Sequence, residues 1–163
     1  MSNETDKVQN KILVAYYSWS GVTEKAARKI AATITGDTYQ IVPQAPYPSV
    51  YALCVAKAGM EKASGARPPI AGELPDIGNY TKIVVGFPIW WFSCPMIIHS
   101  FLAKLDLKNK KVYLFCTSKS SGPKNSAQDI RDKLPGVTVG ECLDARKPET
   151  LEKTAIRSWL EEE

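Results

Sequence analysis

The sequence predicts a doubly wound α/β domain, a parallel sheet with helices on both faces. Three observations predict it. Nearly continuous apolar runs at Lys11–Tyr17, Lys82–Phe87 and Lys111–Cys116 suit strands that are buried on both sides. Segments with apolar residues at helical spacing lie between them, and strands alternating with helices imply right-handed crossovers and a three-layer sandwich. The length of 163 residues fits one domain, which at this size buries roughly 70% of its unfolded surface without needing a disulfide or metal.

Taken in order, residues 1–10 read as a flexible polar tail ahead of a single domain over 11–163. Lys11–Tyr17 is the first strand. Ser18–Gly21 breaks it, and Ala26, Ala27, Ile30 and Ile34 recur at helical spacing over Val22–Ile34, with Gly36 as the stop. Thr38–Val42 reads as a short second strand. Pro43, Pro46 and Pro48 then forbid regular structure, and Ser49 is placed to cap a helix over Val50–Lys62. Arg67–Pro69 and Pro75 form an irregular return. Lys82–Phe87 is the third strand, and Pro95 can open a helix running to Leu105, where its missing N–H costs nothing. Lys111–Cys116 is the fourth strand, Ser126–Leu134 a helix and Val137–Leu143 a weaker fifth strand. Pro148–Leu160 is a closing helix with Leu151, Ala155, Trp159 and Leu160 on one side.

Composition narrows the function. Lys+Arg 21 against Asp+Glu 17 gives a net charge of +4, too mild and too dispersed for a dedicated nucleic-acid binder. The densest basic stretch, Lys104 to Lys133, carries interspersed aspartates and reads as a solvated face. Four cysteines show no CxxC spacing, which argues against zinc. Cys54 and Cys116 sit in apolar runs as buried thiols. The polar start is not a signal peptide, and no run of about 18 apolar residues spans a membrane, so a cytoplasmic location is expected. His99, the single histidine, reads as a structural residue of its helix.

In a doubly wound sheet, ligands bind at the carboxyl ends of the strands where the strand order switches. The residues just after strands one, three and four are therefore the informative ones. After strand one, Ser18-Trp19-Ser20-Gly21-Val22-Thr23 opens a helix directly. Backbone N–H groups, the helix dipole and small hydroxyls there can wrap a phosphate without a cation, though the same residues also make plain turns. After strand three, Pro88-Ile89-Trp90-Trp91-Phe92 places three consecutive aromatics at a strand end. They cannot all enter one core, so at least one is exposed and suited to stack on a flat ring. After strand four, Thr117-Ser118-Lys119-Ser120-Ser121-Gly122 is polar and rich in donors. Together the three loops describe a site for a phosphorylated planar cofactor.

These stretches carry a family resemblance. Tyr16–Thr23 resembles the phosphate loop of the flavodoxin family, hydroxyl–x–hydroxyl–Gly–Asn–Thr. Gly86-Phe87-Pro88-Ile89-Trp90-Trp91, with Pro95 and Phe101-Leu102, resembles the Gly-x-Pro-Ile-Trp-Trp motif of its short-chain NAD(P)H- or quinone-type oxidoreductase branch. Phe115–Gly122 resembles the third flavin loop. Tyr47-Pro48, Tyr51, Arg67-Pro68 and Leu74-Pro75-Asp76 match between them. The likeness spans about residues 11–145. It implies the flavodoxin-like sandwich, with a five-stranded parallel sheet in the order 2-1-3-4-5, and FMN as cofactor. Ser18, Ser20, Gly21, Val22 and Thr23 would hold the phosphate, Trp19 lying within that loop. Pro88, Ile89, Trp90 and Trp91 would flank the isoalloxazine, with Phe92 beside them. Thr117, Ser118, Lys119, Ser120 and Gly122 would line its pyrimidine side.

Three positions depart from the pattern. Val22 replaces the usual Asn but keeps its N–H. Phe92 stands where the branch has Gly, and Lys119-Ser120 where it has Gly-Gly. Glycines there let backbone approach a ring closely. Lys119 near the ring favours an anionic reduced flavin or an anionic substrate.

The resemblance implies an FMN-dependent oxidoreductase that takes electrons from NAD(P)H or a protein donor and passes them to a small acceptor such as a quinone. The flavin does the chemistry, and no catalytic acid or base is evident in the chain. The alternatives are an electron-transfer flavodoxin without its own substrate, against which the +4 charge speaks, and a flavodoxin-fold protein that has lost FMN. Neither a nucleic acid nor a membrane is an expected partner. Exposed aromatics in the Trp90–Phe92 loop and the Tyr47–Tyr51 region suit a homodimer.

Overall fold

A computed structural model describes residues 11–118 and 125–161. Five strands, β1 (Lys11–Tyr16), β2 (Asp37–Gln40), β3 (Tyr80–Pro88), β4 (Lys111–Thr117) and β5 (Thr138–Asp144), form one sheet in the order β2-β1-β3-β4-β5. Every pairing is parallel. Five helices connect and follow them: α1 (Val22–Ile34), α2 (Tyr51–Ser64), α3 (Met96–Ala103), α4 (Ser126–Lys133) and α5 (Lys153–Glu161). This is the expected flavodoxin-like sandwich with the expected strand order.

The central strands are apolar throughout because alternate residues fill two different cores. On β4, Val112, Leu114 and Cys116 join the layer under α2, α3 and α4, with Ile97, Ile98, Phe101 and Ile130. Tyr113 and Phe115 join the layer under α1 and α5, with Ala26, Ala27, Ile30, Ile156 and Trp159. The small residues Ala26 and Ala27 bring α1 close to the sheet, and Cys54 and Cys116 are buried thiols as read from the sequence. At Gly86 the crowding is absolute. A Cβ there would lie 1.9 Å from Cζ of Phe115 on the neighbouring strand.

Four local expectations are corrected. The second strand ends at Gln40 rather than Val42. Ile41 still donates to Tyr16 O at 2.7 Å, but Val42 O turns to accept from Ala71 N at 2.7 Å, and Pro43 bridges to Ile70 on the irregular return. Ser49 does not cap α2. The first helical bond runs from Cys54 N to Val50 O, so Val50 is the capping residue and Ser49 lies one position too far out. Pro95 precedes α3 in extended geometry (φ −59, ψ 149) instead of occupying its first turn. The closing helix is split: a 3₁₀ turn at Pro148–Thr150 is followed by α5 from Lys153. The break shifts the helical phase, so Ile156 is buried in place of Ala155, beside Leu151, Trp159 and Leu160.

Two carbonyls of the edge strand β5 accept side-chain donors. Arg131 Nε reaches Val139 O at 3.0 Å and Trp159 Nε1 reaches Glu141 O at 3.1 Å. Among the described residues, no helix is long and apolar enough to cross a membrane.

Candidate functional site

Register decides where the loops meet. Tyr16 pairs with Gly86, and Gly86 with Phe115, while Pro88 pairs with Thr117. The ends of β1, β3 and β4 therefore lie level, and the loops that follow them open on one side of the sheet. Tyr17 N to Gly86 O (3.0 Å) and Ile89 N to Thr117 O (2.8 Å) carry the pairing into the loops themselves. Between these loops and α2 lies a cavity of about 450 Å³, within the roughly 300–1,000 Å³ of small-molecule sites.

The loop after β1 turns through Gly21, whose backbone is left-handed (φ 95, ψ −11), with open space where a side chain would project. Ser18 Oγ accepts from Gly21 N at 3.1 Å and shapes the turn. No side chain caps α1, so the amides of its first turn and its dipole face the rim of the cavity. Trp19, Ser20 and Val22 line the cavity, and Ser18, Gly21 and Thr23 are not part of that lining. Thr23 is buried, and its hydroxyl hydrogen-bonds that of Thr117 at 2.6 Å. This pair joins the start of α1 to the end of β4. Thr23 thus positions the phosphate-type loop with its side chain and leaves only its backbone for a ligand.

The three aromatics after β3 divide as expected. Trp90 turns inward and packs edge-on against Tyr17 (5.5 Å) and Tyr47 (5.0 Å). Tyr47 donates to Glu61 Oε2 at 2.7 Å. Burial, and then the Glu61 carboxylate, push the Tyr47 phenol far above its ordinary range, so it stays protonated. Trp91 and Phe92 are exposed at the loop tip, and both adopt left-handed backbone (φ 53 and 67). Trp91 nevertheless has a seat. Its Nε1 donates to Val55 O at 2.9 Å, its ring lies where a Cβ of Gly59 would be 2.9 Å away, and Lys62 Nζ donates to its carbonyl. Behind the loop, Cys94 Sγ and His99 Nε2 are 3.5 Å apart in a buried contact.

Pro88, Ile89, Trp90, Trp91, Phe92, Thr117 and Ser118 all reach the cavity, so the structure gathers most of the sequence-predicted residues. Lys119, Ser120 and Gly122 lie outside the described residues. Five lining residues escaped the sequence reading: Tyr51, Cys54, Val55 and Ala58 on α2, and Arg146 after β5. Trp19 and Tyr51 sit 6.3 Å apart across one wall. Burial raises the Cys54 thiol, which keeps it neutral. Arg146 is the one formally charged residue among the described lining. Asp144 holds its guanidinium with Nε contacts of 2.9 and 2.8 Å and an Nη2 contact of 2.5 Å, and this pairing holds the Asp144 carboxyl below its ordinary range. The signal for Arg146 was its place, two residues past Asp144 at the end of a strand next to β4.

The cavity is apolar along the aromatic loop and α2, and polar where Ser20, Thr117 and Ser118 meet the open helix end. These residues fit FMN: a flat ring system finds aromatic walls, and a phosphate finds backbone amides.

A family model described as Flavodoxin matches residues 11–163. The chain is similar to a candidate flavoprotein from Bacteroides eggerthii, with 36% identity, TM-score 0.84, and 92% of this chain and 95% of that one covered. A candidate flavoprotein from Bacteroides uniformis shows 30% identity, TM-score 0.80, and coverage of 94% and 99%. The fold also matches a Lactobacillus acidophilus flavoprotein in complex with FMN, at 22% identity, TM-score 0.80, and coverage of 93% and 99%. No curated protein sequence matches the chain. Sheet order, the loops at the strand ends and a match along the whole described chain agree: the protein belongs to the flavodoxin family.

Proposed function

We propose that this single domain, residues 11–163, binds FMN in the cavity at the ends of β1, β3 and β4 and works as an oxidoreductase. It would take electrons from NAD(P)H or a protein donor and deliver them to a small acceptor such as a quinone. The observation that carries the reading is the cavity itself, about 450 Å³ between the uncapped start of α1 and the aromatic loop. The flavoprotein relatives and the FMN complex of the Lactobacillus acidophilus protein support the choice of ligand.

When bound, the flavin supplies the electron chemistry. The chain supplies the rest. The first-turn amides of α1 and the Ser20 hydroxyl bind phosphate. Trp90, backed by Tyr17 and Tyr47, gives a fixed aromatic wall, and Pro88 and Ile89 exclude water beside it. Thr117 and Ser118 present polar groups at the opposite side, beside the Arg146 guanidinium that Asp144 holds in place. All four cysteines are free thiols, which suits a cytoplasmic setting.

An absorbance spectrum and an FMN titration followed by flavin fluorescence test the reading. Flavin bands or saturable quenching are expected, weakened tenfold or more by Gly21→Glu, which sets a carboxylate beside the phosphate position. NAD(P)H oxidation with quinones then separates an enzyme from a carrier. Absence of bands and of quenching at high micromolar FMN would overturn the proposal.

A further inference from the structure

Helix α2 is built unlike the other surface helices. Only Cys54 and Ala58 of its 14 residues are fully buried. Its opposite side carries Ala52, Leu53, Ala56, Met60 and Ala63, all exposed, with Leu53 at 58% and Met60 at 73%. Leu53, Ala56, Met60 and Ala63 follow a 3-4-3 spacing, the pattern of a helix–helix seam. A solvated helix normally turns its charges outward. Here all three are drawn back onto the chain. Lys57 Nζ lies over the Tyr47 ring at 4.9 Å, Glu61 accepts from Tyr47, and Lys62 donates to the Trp91 carbonyl. The outward seam carries no charge.

The seam is also self-complementary. In an antiparallel pair centred on Ala58, Leu53 faces Ala63 of the second copy, and Ala56 faces its Met60. Every contact is then large against small, the arrangement that lets two helices interdigitate. A two-fold axis makes each pairing occur twice. Val50 and Tyr51 at the start of the helix, and Trp91 and Phe92 at the cavity mouth, are exposed as well. With Leu53 and Met60 they are six of the eight large apolar residues exposed among the described residues, and clustered exposed apolar side chains mark interaction surfaces.

We propose that the protein is a two-fold dimer through α2, paired antiparallel about Ala58, with the aromatic loop of each copy at the border of the interface. This does not depend on the flavin reading. Because the mouth of the cavity adjoins the seam, association also shields the exposed Trp91 and Phe92.

Light scattering and sedimentation equilibrium on the purified full chain test it. A mass twice 18.0 kDa is expected. Met60→Glu and Ala56→Glu, both outside the cavity lining, should weaken the dimer tenfold or more with an unchanged circular dichroism spectrum. Leu53→Ala and Ala63→Leu should each weaken it, and the double swap should restore it, since small again faces large. A monomer at about 100 µM overturns the proposal. A dimer indifferent to both glutamates overturns the surface, and a swap without rescue overturns the antiparallel register. A monomer that needs these residues only to be reduced by a second protein assigns the patch to that partner instead.

Discussion

The two loops that frame the cavity solve one backbone problem in opposite ways. Each must turn sharply at a strand end, and each passes through left-handed conformation. After β1 that residue is Gly21, at φ 95, which adopts it without a Cβ penalty. After β3 the residues are Trp91 and Phe92, at φ 53 and 67, which do not. The aromatic loop holds its shape through contacts: the Trp91 indole on Val55 O and Gly59, the Lys62 ammonium on its carbonyl, and the buried Cys94–His99 contact at its far end. One loop is fixed by what its sequence prefers, the other by what surrounds it. A loop of the second kind answers to its neighbours.

The largest expected effect separates crowding from conformation. Gly86→Ala, at the end of β3, would drive a Cβ into Phe115 in the sealed core. It should cost roughly 3 kcal/mol or more, seen as a large fall in the urea midpoint. A change under about 1 kcal/mol would show that β3 and β4 can separate at this point.

Next comes acid. Burial, then Arg67 and Lys133, hold His99 at a pKa of about 4 against an ordinary 6.5. The unfolded chain thus binds a proton more readily than the folded one. The stabilisation is complete above about pH 6.5 and is lost as pH falls toward 4; its span is on the order of 2–3 kcal/mol. His99→Gln should flatten that part of the stability curve. An equally steep curve in the variant would mean that other groups carry the acid sensitivity.

The smallest effects are a matched pair with opposite signs. Gly21→Ala has room for its methyl group but not the right backbone, and should destabilise by about 1 kcal/mol. Phe92→Gly should stabilise by about 1 kcal/mol, because a side chain that is 68% exposed contributes little packing to offset its strain. Equilibrium urea unfolding of both variants measures this. Equal signs would remove the contrast between the loops.

The same contrast explains what the sequence disclosed. The strands were legible because residues alternating between two cores leave an unbroken apolar run, as in Val112–Cys116. The loop after β1 was legible because its glycine marks a conformational need. At Thr23, residue type and position say nothing of a hydroxyl partner 94 residues away, Thr117. Tyr51, Cys54, Val55 and Ala58 were missed because an alanine-rich helix has too little contrast between its sides to show which one meets the cavity. The break ahead of α5 was invisible for a related reason. Counting from Pro148 gives a plausible stripe through Ala155, and only the 3₁₀ turn resets the phase to Ile156.

The two carbonyls of β5 that accept from Arg131 and Trp159 have a consequence beyond the domain. An exposed strand margin is a template on which further chains can add, and uncontrolled addition ends in aggregation. Here a guanidinium and an indole already occupy two acceptors of that margin, and the opposite margin, β2, is only four residues long. Open-ended growth along the sheet is discouraged on both sides. Association is left to helical surfaces, which can close on themselves and stop.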